Sequence, residues 1–302
     1  GGDRAVAAPA ARAEAAAAWG VGELPARLGR DTEQMLAAAA HGDLDALLVG
    51  GVDPDDLPDP ALAEEALAAV PFVVSLELRP SAVTAHADVV LPVAAVAEKA
   101  GTFLDWEGRV RMFEAALKPD QQMGRHLYPD LRVLNMLADA LGHRLGLPDV
   151  RAARLELDRF TPWTGDRPAA PAAHPGLLPR PATGQAVLAG WRLLLDRGSL
   201  QQGDPHLAGT RHPAVARISP TTAEEIGAAG AAALRLTGPA GSLTLPLELT
   251  KEMPDRTVWI PLNSTPGGAH RALGTTTGHL VTIAAADATA LAEAGGPEEE
   301  EK

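Results

Sequence analysis

The stretch Ala87–Arg111, ADVVLPVAAVAEKAGTFLDWEGRVR, decides the fold. Val89-Val90-Leu91 is a short apolar run ended by Pro92, the pattern of a buried strand. A short Ala/Val segment follows. It leads into a loop carrying Glu98, Lys99, Gly101, Thr102, Asp105, Trp106, Glu107, Gly108 and Arg109. Two glycines allow a tight bend or a close backbone approach. In open α/β sheets, loops after the carboxyl ends of strands are where ligands sit. The stretch therefore marks a cofactor-facing loop or the remnant of one.

Upstream, the pattern repeats. Asp31 is a natural N-cap for a helix containing Met35 and Leu36 that reaches about His41 and ends at Gly42. Leu44–Val49 is an apolar run closed by Gly50-Gly51. Asp53 to Pro60 is a turn-rich loop, Ala61–Ala69 a helix and Pro71–Leu76 the next strand. Strand, helix and strand in alternation predict a parallel α/β sheet with crossover helices. Residues Gly1–Arg30 read as loop with one short helical piece. Pro129 opens a helix with Leu131, Leu134, Leu137, Ala138 and Leu141 at helical spacing.

Downstream, the pattern changes. Residues Thr161–Thr183 are dense in Pro, Ala and Gly and read as an extended linker. Val187, Leu188, Trp191, Leu194 and Leu195 are expected to form one face of a helix. Short apolar runs then recur at Ala214–Ile218, Ala233–Leu236, Ser242–Leu249, Thr257–Pro261 and Leu280–Ala284. Ser219-Pro220, with Glu224 and Glu225 close behind, predicts a capped helix reaching Ile226. Many short strands with few helices imply a small β-barrel. The expected organisation is an α/β domain over 1–160, a linker over 161–186, a helix plus β-barrel over 187–290 and an acidic tail over 291–302.

Composition excludes several classes. The 302 residues suffice for two domains of roughly 100–200 residues. The net charge of −13 argues against nucleic acid and against adsorption to an anionic membrane. Part of it is the run Glu298–Glu301. There is no cysteine, so this chain holds no disulfide, thiolate nucleophile or Cys-ligated metal cluster. No apolar stretch approaches ~20 residues, so no direct membrane insertion is expected. The chain opens on Gly1 within an Ala-rich passage, which suggests the C-terminal part of a longer protein.

Candidate chemistry is sparse. Glu98, Asp105 and Glu107 could supply an acid–base carboxylate pair, but salt bridges to Lys99, Arg109 and Arg111 are the simpler expectation. His86 and Asp88 could share a metal, yet no HxH or HExxH spacing supports one. Gly50-Gly51 and Gly267-Gly268 match no phosphate-binding pattern and default to turns. No GxSxG elbow is present. Asn263-Ser264, after the apolar run Val258–Leu262, could hydrogen-bond a ligand. The residues commit to no catalytic, cofactor-binding or metal-ligating site.

ADVVLP (Ala87–Pro92), then Glu98, Gly101-Thr102, Asp105 in a place usually held by Asn, and Glu107-Gly108-Arg109 resemble the molybdopterin oxidoreductase superfamily. Further stretches resemble, within it, the family of the large iron–sulfur subunit (the G subunit) of bacterial NADH-quinone oxidoreductases in its actinobacterial form. These are Leu48–Pro54, Asp56–Pro60, Phe72–Glu77, Glu98–Phe103, Leu207–Thr210, Met253–Arg256 and Val258–Pro261. The resemblance implies a molybdopterin-oxidoreductase-type α/β domain followed by a double-psi β-barrel. It implies iron–sulfur clusters upstream, no cofactor in this segment, and a scaffold role in the peripheral arm of respiratory complex I. Its partners would be other peripheral-arm subunits, on the cytoplasmic side of the plasma membrane. The alternative is a catalytic molybdopterin enzyme, formate dehydrogenase-like or nitrate reductase-like, with pterin held by the Glu98–Arg109 loop and the Asn263 region. Asp105 and the alanine-filled turn Ala228–Ala233, where cofactor-binding relatives carry a Gly-Asp turn, depart from that pattern.

Overall fold

The computed structural model describes residues 5–105, 107, 109–117, 127–160, 165, 179–199 and 201–294. Trp106 and Gly108, most of the expected linker and most of the acidic tail lie outside them. Chain contacts divide the protein into two units. One comprises residues 1–51 and 66–174, the other residues 52–65 and 175–302.

The first unit opens with α1 (Pro9–Trp19), a full helix where the sequence suggested mostly loop. Its alanines supply helix propensity without any strongly apolar face, which hides it from periodicity arguments. α2 (Thr32–Ala40) begins at Asp31 with a complete capping box. The Asp31 carboxylate accepts from Gln34 N–H at 2.9 Å, and the Gln34 side chain accepts from Asp31 N–H at 3.2 Å.

β1 (Leu47–Gly50), α3 (Pro60–Ala69), β2 (Val73–Glu77) and β3 (Val89–Pro92) follow. The strands form a parallel sheet in the order β1-β2-β3. Ala39 of α2 and Ala66 and Leu67 of α3 pack with Val73 and Val83, and Leu47 and Val49 join them. Asp88 fixes the entry to β3, its Oδ2 accepting from Val73 N–H at 2.7 Å. One expectation fails here. β3 is not buried, and Val89 and Val90 remain 38% and 43% exposed.

A second correction concerns the loop after β3. It is an antiparallel hairpin, β4 (Gly101–Leu104) and β5 (Val110–Phe113). α4 (Asp130–Ala140) and α5 (Val150–Leu157) complete the first unit.

The second unit is built on a closed six-stranded β-barrel, which is the double-psi type. Its strands are β6 (Gln185–Trp191), β7 (Ala216–Ile218), β8 (Ala233–Thr237), β9 (Ser242–Leu249), β10 (Thr257–Pro261) and β11 (Leu280–Ala286). The order around the barrel is β10-β6-β11-β8-β9-β7, with β10·β6 and β7·β9 parallel. α6 (Pro205–Ala208), α7 (Pro220–Glu225), α8 (Gly268–Leu273) and α9 (Ala288–Ala294) lie between or after the strands.

The helix expected over Val187–Leu195 is strand β6. Ala186 and Leu188 alternate inward at period two, and Leu194 lies beyond the strand, almost fully exposed. Leu188, Ile218, Leu234, Leu236, Val258 and Ile260 fill the barrel. Gly190 permits the closure, since a Cβ there would lie 2.5 Å from the Ile260 carbonyl oxygen.

Candidate functional site

The Glu98–Arg109 segment does not assemble a catalytic pair. Asp105 Oδ1 accepts from Glu107 N–H at 3.0 Å and Arg109 N–H at 2.8 Å, so it ties the hairpin turn. Glu107 pairs with Arg109 at 2.5 Å, and Glu98 accepts from Ala95 N–H at 3.3 Å within its own turn. Lys99 pairs with Asp130. Each carboxylate has a local structural partner, and none is brought against another.

The glycine of the Gly101-Thr102 motif has a packing reason. Gly101 stands opposite Phe113, whose ring would lie 2.5 Å from any Cβ at that position. Phe103 stacks on Phe113 with ring centroids 5.1 Å apart. Arg154 of α5 clamps the pair of strands. It donates to the Gly101 carbonyl at 2.9 Å, to Thr102 Oγ1 at 3.2 Å and to Glu114 at 3.0 Å. Sequence reasoning missed Arg154, because more than 40 residues separate it from the motif and no local pattern announces the contact.

His86 and Asp88 do not form a metal site. Asp88 is taken by Val73 N–H, and among the described residues no group of three His, Asp or Glu side chains converges. Gly50-Gly51 is the turn after β1, with Gly51 at φ 61°. The Ala228–Ala233 turn leaves α7 for β8. There Ala228 is fully buried and donates to the Ala223 carbonyl at 2.7 Å.

The most polar concavity lies in the barrel unit. It is a cleft of about 540 Å³ whose lining includes Asp55, Asp196, Arg197, Arg211, Asn263 and Thr265. The chain turns sharply after β10, and Gly267 and Gly268 both adopt φ 69°, which carries it into α8. Asn263 Nδ2, Ser264 Oγ and Thr265 Oγ1 are buried and have no hydrogen-bond partner among the described residues. Asp196, nearly buried, accepts from Gly198 N–H at 2.7 Å, and Arg197 N–H donates to the Asn263 carbonyl at 2.9 Å.

One wall of this cleft is acidic. Asp53 and Asp204 join Asp55 and Asp196 in the lining. Arg271 of α8 is committed elsewhere, to Asp55 at 2.5 Å and Glu64 at 2.7 Å. Those two carboxylates, Glu64 first, hold its pKa above the ordinary arginine value. His270 Nδ1 lies 3.0 Å from the Leu57 carbonyl oxygen. Asn263-Ser264 was visible in sequence as polar residues after a strand, whereas their burial without partners was not.

Opposite charge is also tightly paired on the far side of the barrel. Arg256, at φ 52°, donates from Nε to Glu225 at 3.0 Å and from Nη1 to the Pro181 carbonyl at 2.9 Å. Its backbone N–H donates to Thr222 Oγ1 at 2.7 Å, and Ser219 Oγ donates to Asp255 at 2.6 Å. The Arg256 guanidinium holds the Glu225 carboxyl below the usual glutamate value. The Met253–Arg256 motif is thus a structural clasp between α7 and β10.

Comparison with known proteins agrees with this geometry. Residues 6–123 match the family described as Molybdopterin oxidoreductase. The G subunit of NADH-quinone oxidoreductase from Streptomyces coelicolor is 60% identical over 91% of this chain, which covers 32% of that protein. Its counterpart in Mycobacterium bovis is 51% identical over 94% of this chain, which covers 35% of it. Among solved structures, acetylene hydratase from Pelobacter acetylenicus aligns with 84% of this chain and 46% of its own at a TM-score of 0.54 and 14% identity, a likeness of fold. The chain spans about a third of the length of the curated relatives it matches. It belongs to the molybdopterin oxidoreductase superfamily, as a stretch homologous to the large iron–sulfur subunit, G, of NADH-quinone oxidoreductase.

Proposed function

We propose that this chain is a scaffold segment, toward the C-terminus, of the large iron–sulfur subunit of a proton-pumping NADH-quinone oxidoreductase. The whole assembly would pass electrons from NADH through flavin and iron–sulfur clusters to a quinone. The segment itself would contribute no catalytic residue. The observation that carries this reading is the 60% identity, spread over 91% of the chain, to a component of that complex. Neighbouring peripheral-arm subunits on the cytoplasmic face of the membrane would be its partners. No helix among the described residues is long and apolar enough to cross a membrane, which suits a peripheral position.

The chemistry of the cleft favours a segment without pterin. A molybdopterin cofactor carries an anionic phosphate, which seeks cationic side chains or free backbone N–H groups. Four aspartates against two arginines line this cleft, and the nearby Arg271 is already held by two carboxylates. That donor set does not fit a phosphate. The Glu98–Arg109 segment is likewise engaged in its own hairpin.

The test is purification of the intact protein under native conditions through an affinity tag. It should bring down an assembly that oxidises NADH and reduces a quinone, with iron but no stoichiometric molybdenum by elemental analysis. Stoichiometric molybdenum, or isolation without any NADH-oxidising activity, would overturn the proposal.

A further inference from the structure

Parallel sheets are ordinarily covered by helices on both faces, because each crossover between parallel strands lays a helix on one face or the other. In the first unit the helices α2 and α3 pack on the face that carries Leu47, Val49 and Val73. Side chains alternate along a strand, so Leu48, Val74 and Val89 point to the opposite face. The register aligns these three directly across all three strands, Leu48 beside Val74 and Val74 beside Val89. They make one continuous apolar row without a charge.

This row is open. Leu48 is 53% exposed and Val89 38%, and Val74 between them is half-buried. The next row on the same face, Gly50, Leu76 and Leu91, is closed over Leu76. Leu91 borders an apolar groove with Val133 and Met136 of α4, so α4 reaches only the carboxyl end of β3. A three-strand row of aliphatic side chains left in water at the centre of a parallel sheet is half of a layer.

We infer that an apolar helix of the same polypeptide, lying outside residues 1–302, packs across Leu48, Val74 and Val89 and completes the second helical layer of this sheet. This rests on the reading of the chain as one stretch of a longer subunit. The relatives supply the length, since this chain matches only 32% and 35% of them. The surface chemistry favours a permanent cover from the same polypeptide. The row is aliphatic and uncharged, unlike the polar rim of an exchangeable interface. A helix suits it better than a strand, because the open groups are side chains on a face rather than backbone groups on an edge.

The test uses the intact protein with a photo-reactive benzoylphenylalanine placed at position 48 or position 89. The expected product from both positions is a cross-link to a peptide of the same polypeptide outside residues 1–302. A cross-link to another subunit, a cross-link within residues 1–302, or no cross-link overturns the inference. Leu48→Cys provides a smaller probe. In the intact protein its maleimide labelling should be about tenfold slower than that of Leu28→Cys, since a covered site reacts only through local opening. Equal rates would count against the cover. The intact mass separates the two questions, because a mature polypeptide of only these 302 residues would remove the longer-subunit reading itself.

Discussion

The two units solve the problem of exposed sheet in opposite ways. The barrel closes on itself, so all six strands find partners on both sides and its inner face is sealed by Leu188, Ile218, Leu234, Leu236, Val258 and Ile260. The three-stranded parallel sheet has helices packed on one face and an aliphatic row in solvent on the other. A closed barrel carries its own cover, whereas an α/β layer depends on chain that reaches it from elsewhere. Substitutions should therefore be costly in the barrel and mild on the open sheet.

The largest expected contrast comes from truncating an aliphatic side chain in each unit. Leu234→Ala removes a fully buried side chain and should lower stability by about 2–5 kcal/mol. Leu48→Ala in the 302-residue chain should cost less than about 0.5 kcal/mol. Urea denaturation of both variants reads the difference, and equal losses would break the contrast.

Glycines sharpen it at the next level. A Cβ on Gly238 would run into the Leu273 carbonyl, a backbone group that cannot swing away. Gly238→Ala should destabilise the barrel by about 1–3 kcal/mol. A Cβ on Gly101 meets only the end of the Phe113 ring, in a hairpin with open sides. Gly101→Ala should therefore cost less than Gly238→Ala in the same thermal melts.

A smaller effect tests the hairpin turn. Asp105 contributes an oxygen that accepts two backbone N–H bonds, and the amide oxygen of Asn can do the same. Asp105→Asn should leave the melting temperature unchanged, while Asp105→Ala should lose about 0.5–1.5 kcal/mol. Equal losses for both would mean that charge, rather than acceptance, matters at this turn.

The smallest effect belongs to the exposed clasp between Glu225 and Arg256. The folded Glu225 pKa lies below its unfolded value, with hydrogen bonding to Arg256 the main cause. Its stabilisation is therefore present in full above the unfolded value, about 4.3, and is lost as pH falls through the lower folded value. The stability gap between the wild type and Glu225→Gln should narrow below about pH 4. A gap that widens on acidification would contradict this assignment. High salt should shrink it as well, because the pair is open to solvent.

Much of the fold was legible in short signals. The capping box at Asp31–Gln34, the Ser219-Pro220 helix start and the apolar runs at Ser242–Leu249 and Thr257–Pro261 all lie where local chemistry put them. Three elements escaped. α1 is alanine-rich and lacks an apolar stripe, β6 mimics a helix face through chance leucines beyond its end, and the β4–β5 hairpin hides among loop-forming residues. In each case a weak local pattern was overruled by partners far away in sequence. For β6 these are β10 and β11, and for the hairpin Arg154 and Phe113.

The candidate site was legible only in part. Asn263 and Ser264 stood out as polar residues after a strand, but the acidic wall of the cleft draws on Asp53 and Asp55, some 200 residues earlier. No local periodicity carries that information.

By itself the sequence determined the class of each half and the family, because alternation, caps and motif spacing are local properties. It also excluded cysteine chemistry outright, since the residue is absent. Only the tertiary structure decided what the family motif does. Gly101, Thr102, Asp105 and Arg109 secure a hairpin, because Phe113 and Arg154 arrive from distant positions to use them. The same long-range contacts decided where cover ends, leaving Leu48 and Val89 open on a sheet whose sequence reads as buried.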